Sequence, residues 1–374
     1  MRRLAHLLFA LAAACGGSHP APPPLAKIAL PKGSDLKPFD AKNPGSAHPY
    51  GMAQLGAKVY VVLGNLHDAD YSVAGPGFLV GAIPSQGVTD VIDLGGPDGH
   101  QCTNPGFVRT DGSKLYVSCG GDFSTGTGKA LVEVDPATSK VSRSLGIPSP
   151  YTPYGLAVTP AKVWIGDTGS TSLISVDRAS FTLQDGASGK PPPPSVSCPK
   201  GTRPSSYAYL ADVNYVGTDL YAVCASDIAG VLYRLDPATA AIRGQGNVGA
   251  SPTSVSPTAD GRIAVVCSVD GTLWIGTPGA NGAIPTSLAY TYASATAAPQ
   301  DVRGLGSFLF TTASQSNTVQ KIDITTLPAK VVAEVNTGEG TGPYGIVPID
   351  LVTAMVSDSL SNDLARVDFS PASK

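Results

Sequence analysis

Few residues in this sequence are of the types that act as nucleophiles or general bases. Three histidines follow residue 24, His48, His67 and His100, and all of them lie in the first third of the chain. There is no Gly-x-Ser-x-Gly sequence, and the glycines at 120–121 and 126–128 lack the Lys-Ser/Thr pair and the helix of a phosphate-binding loop. The sequence therefore disfavours nucleophilic catalysis.

The composition instead indicates many short strands joined by tight turns. Charged residues make up 14% of the 374 residues, and there are 43 glycines and 33 prolines, which is poor material for long helices. The length suits one large all-β domain or two ordinary domains. A net charge of −3 gives no electrostatic footprint for nucleic acid, so no nucleic-acid partner is expected.

A repeat of about 44 to 56 residues runs down the chain. Each unit opens on Pro-x-Gly or a variant and continues with an alternating run, a turn and a more apolar run, which predicts two antiparallel strands, A and B. A polar loop then leads to strand C, for example Leu173 to Asp177, and strand D follows. The seven openings are Pro49-Tyr50-Gly51, Pro105-Gly106, Pro153-Tyr154-Gly155, Ser205-Ser206-Tyr207, Pro252-Thr253, Pro299-Gln300 and Pro343-Tyr344-Gly345.

Four strands in a repeat of this length predict one blade of a β-propeller, because a single blade cannot bury both of its faces but a ring of blades can. Seven openings predict an all-β, seven-bladed propeller of four-stranded antiparallel blades. No strand D pattern follows Phe369 in the last unit. We expect the N-terminal stretch Lys27 to Leu30 to complete this blade and remove its exposed edge.

Three units match a known repeat in register across strands B and C: Trp164 to Asp177, Phe310 to Asp323 and Met355 to Asp368. They resemble the YVTN/NHL class of bacterial β-propellers, whose pattern is Tyr-Val-Thr-Asn-x-x-Ser-Asn-x-Val-x-Val-Ile-Asp. The other units keep strand B and depart in the loop that follows. The resemblance covers nearly all of the chain after the N-terminal segment, and it implies a fold rather than a function.

The first Asn of that pattern is replaced in every unit. Asp occupies the position twice and can cap the same turn, whereas Cys occupies it three times and caps poorly. In blade order the residues are Leu63, Cys119, Asp167, Cys224, Cys267, Ala313 and Asp358. The cysteines therefore need another explanation.

The N-terminal residues carry the features of an export signal. Arg2 and Arg3 precede the apolar run Leu4 to Ala14, which is too short to span a bilayer and has the shape of a signal-peptide core. The small residues before Cys15 resemble a bacterial lipobox, which implies that Cys15 is diacylated and becomes the mature N-terminus. The alternative is an ordinary cleavage site near an unmodified Cys.

We accordingly expect a signal peptide at residues 1–14, a lipidated Cys with a Pro-rich tether at residues 15–25, and a single propeller domain at residues 26–374. The expected location is the bacterial cell envelope. In a Gram-negative source, we expect a lipoprotein in the outer membrane or one that faces the periplasm. The membrane would then be a partner through Cys15.

In an exported protein, the cysteines after Cys15 are disulfide candidates before they are metal ligands. Strand A starts and strand B ends on the same face of a propeller, which we call the top face. This places Cys102 near Cys119. No Cys-x-x-Cys sequence occurs, so no zinc or haem site is expected.

A second disulfide candidate joins Cys198 to Cys224. It would pin to the top face a Pro-rich insert at residues 185–204, which cannot form regular structure. Cys267 is then left over as a buried thiol, or it competes for Cys198.

The top face also gathers the candidate binding residues. A Tyr-rich, acid-bearing rim around a channel mouth is typical of a binding surface. The alternative is that these tyrosines only pack blade against blade. The candidates are His48, Tyr50, Tyr154, Tyr207, Asp301, Arg303 and Tyr344.

Two functions of different classes fit these features. The favoured one is a lipid-anchored, monomeric, non-catalytic binding or scaffold module that presents its top face to a protein, a peptide or a glycan, without a cofactor. The other is a metal-dependent hydrolase or lactonase, by resemblance to gluconolactonase-like propellers, which hold a divalent ion through carboxylate and Asn side chains. Asp167, Asp212 and Asp301 are the candidate ligands for Ca²⁺, although no matching motif surrounds them.

Overall fold

The computed structural model describes residues 25–203, 205–280, 282–294 and 296–370. Its strands form seven four-stranded antiparallel sheets, which confirms the predicted seven-bladed β-propeller. The predicted signal peptide, Cys15 and all but the last residue of the tether lie outside the described residues. Within the described ranges there is one short 3-10 helix, Gly33–Leu36. None of the helical structure there has the length and apolar character that a membrane span requires.

The first four blades follow the order of the chain, with strand A innermost. Blade 1 comprises β2 (Pro49–Leu55), β3 (Lys58–Leu63), β4 (Phe78–Ile83) and β5 (Gly87–Asp93). Blade 2 comprises β6 (Pro105–Thr110), β7 (Leu115–Gly120), β8 (Lys129–Asp135) and β9 (Lys140–Gly146). Blade 3 comprises β10 (Pro153–Val158), β11 (Lys162–Asp167), β12 (Leu173–Asp177) and β13 (Thr182–Leu183). Blade 4 comprises β14 (Ala208–Val216), β15 (Asp219–Ser226), β16 (Gly230–Leu235) and β17 (Ile242–Val248).

The last three blades continue this pattern, and blade 7 takes its outer strand from the N-terminal segment. Blade 5 comprises β18 (Pro252–Pro257), β19 (Ile263–Cys267), β20 (Thr272–Gly276) and β21 (Thr286–Thr291). Blade 6 comprises β22 (Pro299–Leu305), β23 (Phe308–Ala313), β24 (Thr318–Asp323) and β25 (Lys330–Asn336). Blade 7 comprises β26 (Pro343–Pro348), β27 (Thr353–Asp358), β28 (Asp363–Asp368) and β1 (Leu25–Ala29). Strand A begins at the predicted proline in six blades, and just after the predicted Ser-Ser-Tyr opening in blade 4.

The ring is closed by β1, which pairs antiparallel with β28 from Leu25 opposite Val367 to Ala29 opposite Asp363. This confirms the predicted closure, with the strand beginning two residues earlier than expected. The ammonium group of Lys27 on β1 also contacts the carboxylates of Asp358 and Asp363. This pairing covers the edge of β28, whose backbone N–H and C=O groups would otherwise be exposed.

The apolar core lies between neighbouring blades. Val62 and Leu79 of blade 1, for example, pack with Val117 and Val132 of blade 2, and all four side chains are fully buried. Each such side chain contributes about 1.5–3 kcal/mol by leaving water. Similar clusters join the other blades, so the stability of each blade depends on the blades beside it.

Glycine in the Pro-x-Gly openings allows the innermost strands to approach each other. A Cβ atom added at Gly51 would lie 2.6 Å from the carbonyl oxygen of Gly106 in the next blade. A Cβ atom at Gly345 would lie 2.6 Å from the carbonyl oxygen of Tyr50. Both neighbours are backbone atoms, so a larger residue would push the strands apart and widen the central channel.

Both predicted disulfides are present. Cys102 and Cys119 lie 5.5 Å apart at their Cα atoms, and Cys198 and Cys224 lie 5.9 Å apart. Cys267 is a free, buried thiol, and burial raises its pKa to about 12. The insert between β13 and β14 contains no strand in its described residues. Two disulfides indicate an oxidising, extracytoplasmic environment.

Candidate functional site

Tyrosines from blades 1, 3 and 7 meet across the top of the channel. Tyr50, Tyr154 and Tyr344 are the second residues of strand A in blades 1, 3 and 7. The hydroxyl oxygens of Tyr154 and Tyr344 lie 2.6 Å apart, and the ring of Tyr344 meets the ring of Tyr50 edge-on at 5.1 Å. We call these three residues the tyrosine lid. Each is half-buried, and together they span the channel mouth.

The hydroxyl groups of the tyrosine lid are neutral. Burial raises the pKa of Tyr50, Tyr154 and Tyr344 above the usual value, because a phenolate loses more hydration than a phenol when it leaves water. At physiological pH the lid therefore presents hydrogen-bonding phenols and apolar ring surface, without charge.

Deeper in the channel, two arginines and two aspartates on strands A form a charged group that we call the channel cluster. Arg109 and Arg303 occupy equivalent places, opposite Tyr116 and Phe310 on strand B of their blades. Two ion pairs hold the cluster together: Arg109 Nη2 lies 3.0 Å from Asp212 Oδ1, and Arg303 Nη2 lies 3.3 Å from Asp301 Oδ2. The first pair crosses from blade 2 to blade 4.

The two carboxylates of the channel cluster also link neighbouring blades. Asp212 accepts hydrogen bonds from the backbone N–H groups of Val213 (2.8 Å) and Val255 (3.1 Å), the latter in the next blade. Asp301 accepts the equivalent bonds from Val302 (2.9 Å) and Ile346 (3.0 Å). Burial raises the pKa of Asp212, and Arg109 opposes this effect. The carboxylate oxygens are therefore already engaged by donors within the protein.

The structure does not bring the three candidate metal ligands together. Asp167 lies at the end of β11 and caps the following turn, where its carboxylate accepts hydrogen bonds from Thr152 N (2.7 Å), Gly169 N (2.9 Å) and Ser170 Oγ (2.6 Å). In the described part of the chain, no group of three or more His, Cys, Asp or Glu side chains is placed to hold a metal ion. This geometry gives the hydrolase alternative no support.

A pocket of about 630 Å³ opens on the top face above the tyrosine lid, between blades 1, 6 and 7. We call it the top pocket. Its lining combines aromatic rings with amides, hydroxyl groups and glycine backbone. The lining residues are His48, Tyr50, Tyr71, Gln300, Ser314, Gln315, Asn317, Gly340, Gly342, Tyr344, Ser359 and Leu360.

His48 is the most deeply buried polar side chain of the top pocket. It is 2% exposed, and it has a left-handed backbone (φ 44°) anchored by a hydrogen bond of 2.7 Å from its N–H to Asn362 Oδ1. Its Nε2 lies 2.9 Å from Oδ1 of Asp68, in a geometry poor for a hydrogen bond, and its Nδ1 has no partner among the described residues. Burial lowers the pKa of His48, although Asp68 opposes this effect. The ring is therefore neutral near pH 7.

The predicted top-face residues fall into three groups. His48, Tyr50 and Tyr344 line the top pocket, and Tyr154 supports it through Tyr344. Tyr207 packs against Tyr209 on blade 4, with ring centroids 5.6 Å apart, and does not line the pocket. Asp301 and Arg303 lie deeper, in the channel cluster, because strand A carries them inward from the top face.

Sequence reasoning missed Tyr71 and Leu360. Both lie in loops between strands B and C, and they are 47% and 51% exposed. The ring of Tyr71 approaches that of His48 to 5.2 Å, and Tyr71 has a left-handed backbone (φ 56°). A bulky apolar residue in an otherwise polar loop was the available signal.

No protein-family model matches the chain, and no curated protein matches its sequence. Solved structures do match its fold. Virginiamycin B lyase from Staphylococcus aureus is 11% identical, with a TM-score of 0.62, over 92% of this chain and 98% of that one. A streptogramin B lyase is 13% identical, with a TM-score of 0.63, over 91% and 96%. Hydrazine synthase from Kuenenia stuttgartiensis is 14% identical, with a TM-score of 0.64, over 87% and 97%.

At these identities the similarity shows the fold alone. Each match covers nearly the whole length of the solved chain, so the β-propeller architecture is shared from end to end. Two of them are named as lyases and one as a synthase, and the same fold supports unrelated activities.

Proposed function

We propose that this protein is a non-catalytic binding module of the bacterial cell envelope, and that its ligand occupies the top pocket. We further propose that the chain is anchored by a lipid on Cys15, acts as a monomer, and belongs to the YVTN/NHL class of repeats. The observation that carries the binding role is the tyrosine lid, which closes the channel and gives the pocket a neutral, aromatic floor. Concave, largely apolar sites with a few placed polar groups are typical of binding sites.

The channel cluster supports binding over catalysis. Its charges are paired with one another and with backbone N–H groups, so they are not free to act on a substrate. None of the four residues of the channel cluster lines the pocket. A catalytic site would need an acid, a base or an electrophile converging on one point. Among the described residues that line the pocket, His48 is the one side chain that commonly titrates near neutral pH.

One observation favours a second candidate, an acid–base lyase. His48 is neutral and its Nε2 lies 2.9 Å from Asp68 Oδ1, and a neutral imidazole beside a carboxylate can act as a general base. Against it, both ring nitrogens of His48 are shielded from solvent, and no Lys, Arg, Asp or Glu among the described lining residues can stabilise a developing negative charge or protonate a leaving group. Mass spectrometry of a bound ligand after long incubation separates the two candidates, because a lyase would release product and a binding module would not.

Site-directed photo-cross-linking in intact cells tests the binding role. A photoreactive amino acid replaces Tyr71 on the top face in one variant and Leu351, in the turn between strands A and B at the opposite face, in the other. The two native side chains have the same exposed fraction, 47%, so they are matched in access. We expect discrete adducts from position 71 and none from position 351. Equal labelling of both positions would overturn the top face as the binding surface.

The proposed anchor is tested by Cys15→Ser in the full chain. The variant should move from the membrane fraction to the soluble fraction, because a single acyl chain already contributes measurably to membrane binding and a diacylglycerol contributes much more. Release of the variant together with an unchanged cross-linking pattern would separate anchoring from ligand binding. Retention at the membrane would overturn the lipid anchor.

A further inference from the structure

The top pocket contains polar groups without a partner among the described residues. Both ring nitrogens of His48 lack a hydrogen bond there, but both are shielded from solvent, so the His48 ring shapes the pocket wall and does not offer a hydrogen bond to a ligand. The hydroxyl of Tyr50 and the side-chain amide of Gln315 make no hydrogen bond to another described residue. By contrast, the amide of Gln300 donates to Ser314 Oγ (3.1 Å) and to Ala298 O (3.2 Å). The Tyr50 hydroxyl and the Gln315 amide are therefore available to a ligand at the pocket lining of blades 1 and 6.

The pocket is also uncharged. Its described lining contains no Lys, Arg, Asp or Glu side chain, and the tyrosine phenols are neutral. Asp68, 2.9 Å from His48 Nε2, is 69% exposed and is not among the lining residues. A charged ligand would find no counter-ion here, and would lose hydration without compensation. The lining therefore selects a neutral ligand with hydroxyl groups or amides.

Aromatic rings supply the remaining surface. The ring of His48 lies 5.2 Å from that of Tyr71 and 6.4 Å from that of Tyr50, and Tyr50 in turn meets Tyr344 at 5.1 Å. Flat rings beside amides and hydroxyls suit a molecule that has an apolar face and a polar edge at the same time. A sugar ring has this character, with its C–H groups on the faces and its hydroxyl groups around the edge.

A peptide fits the pocket less well. Peptides are usually recognised by a free strand edge, an apolar groove for a helix, a run of aromatic ridges for polyproline, or charged groups for a terminus or phosphate. The described lining of the pocket has no charged group that could bind a terminus or a phosphate. A pocket of about 630 Å³ suits the end of a chain of rings better than an extended backbone.

We propose that the top pocket binds the end of a neutral glycan, with a sugar hydroxyl hydrogen-bonded to the hydroxyl of Tyr50. Sugar rings lie against Tyr71 and Tyr344, and the amide of Gln315 hydrogen-bonds a second hydroxyl. The pocket accommodates roughly one or two rings. This inference rests on the binding role proposed above and names the ligand class.

A neutral oligosaccharide array probed with the full chain, followed by calorimetry on the strongest hit, tests the inference. His48→Asn keeps a residue that tolerates the left-handed backbone but shortens the side chain, and we expect at least about tenfold weaker binding. Gln315→Ala, at an exposed position, should weaken binding about threefold or more. This second variant still tests the inference if the His48→Asn variant does not fold. Ile228→Ser, in an exposed loop of blade 4 away from the pocket, is the control and should bind normally.

The outcomes separate the two proposals. If no neutral glycan binds but position 71 still cross-links to a protein, the glycan inference is overturned and the binding role stands. Equal affinity for glycans rich in uronic acids or sialic acids would overturn the neutral class. Unchanged affinity in both the His48→Asn and the Gln315→Ala variants would place the glycan elsewhere. Failure of both the array and the cross-linking would remove the binding role as well.

Discussion

The hydroxyl oxygens of Tyr154 and Tyr344 lie 2.6 Å apart although the two residues are separated by 190 positions in the sequence. The two belong to blades 3 and 7, which do not touch as neighbours in the ring, so this contact crosses the channel. It sets the floor of the top pocket and the roof of the channel cluster. A substitution at either tyrosine should therefore affect both the top pocket and the channel cluster.

Tyr344→Phe and Tyr154→Phe should each destabilise the chain by about 1 kcal/mol, the usual net value of one hydrogen bond. The double variant should cost little more than either single variant, because the two changes remove the same bond. Urea unfolding of the wild type, both single variants and the double variant gives the coupling energy. Fully additive costs would mean that the hydroxyl groups do not act on each other.

Arg109→Met should destabilise the chain more than Arg303→Met. Asp212 is 0% exposed, and loss of the cation beside such a carboxylate costs about 3–5 kcal/mol. The Asp301 side chain is 8% exposed and also accepts a hydrogen bond of 2.7 Å from Ser254 Oγ, so we expect about 1–2 kcal/mol in that variant. Denaturant midpoints at pH 7 measure the difference. Equal costs would show that the channel cluster behaves as one unit instead of two pairs.

Thiol titration should find Cys267 inert in the native protein. Burial raises its pKa to about 12, so almost no thiolate is available at pH 8, and the side chain is out of reach of reagents. In the Cys15→Ser chain we expect no reactive thiol in the native state and one thiol per chain after denaturation without reductant. A count of three or more in the denatured state would show that Cys102–Cys119 or Cys198–Cys224 is not formed.

Asp358 should make the free energy of unfolding fall as pH rises from about 4 to about 7. Burial raises its pKa to about 7, against the effect of Lys27, whereas the unfolded value is about 4. In that window the folded chain holds a proton that the unfolded chain has released, so stability decreases by up to about 1.4 kcal/mol per pH unit and is level above pH 7.

The pKa of Lys27 is raised, because the contacts with Asp358 and Asp363 outweigh the effect of its burial. The raised pKa of Lys27 favours the ionised pair and so opposes protonation of Asp358. We expect burial to prevail, because Asp358 is fully buried while the Lys27 side chain is 34% exposed. Urea unfolding from pH 5 to pH 8 of the wild type and Asp358→Asn measures the contribution as the difference of two slopes, which removes the effect of other titrating groups. Parallel pH profiles would show that Asp358 is already ionised beside Lys27.

Local patterns were sufficient for much of the fold. Each strand A begins at or just after the opening residues that mark its unit, because proline and glycine limit where a strand can start and how closely its neighbour can pack. The pairing of Cys102 with Cys119 followed from the hairpin that joins strands A and B. The candidate site was less predictable. His48 and Tyr50 were correctly placed at the pocket, but Tyr71 was missed because its role depends on a ring contact with His48.

The sequence by itself determined the number of blades, the closure by the N-terminal strand and the two disulfides. These features depend on the chain's own period and on contacts within one blade or along one edge, which spacing encodes. Only the tertiary structure decided that Asp301 and Arg303 turn into the channel, that Tyr154 meets Tyr344, and that His48 is buried in the wall of a pocket between three blades. Those relationships depend on how the blades are arranged in the ring, and the distance between two strands on opposite sides of a channel is set by the packing of all seven blades together.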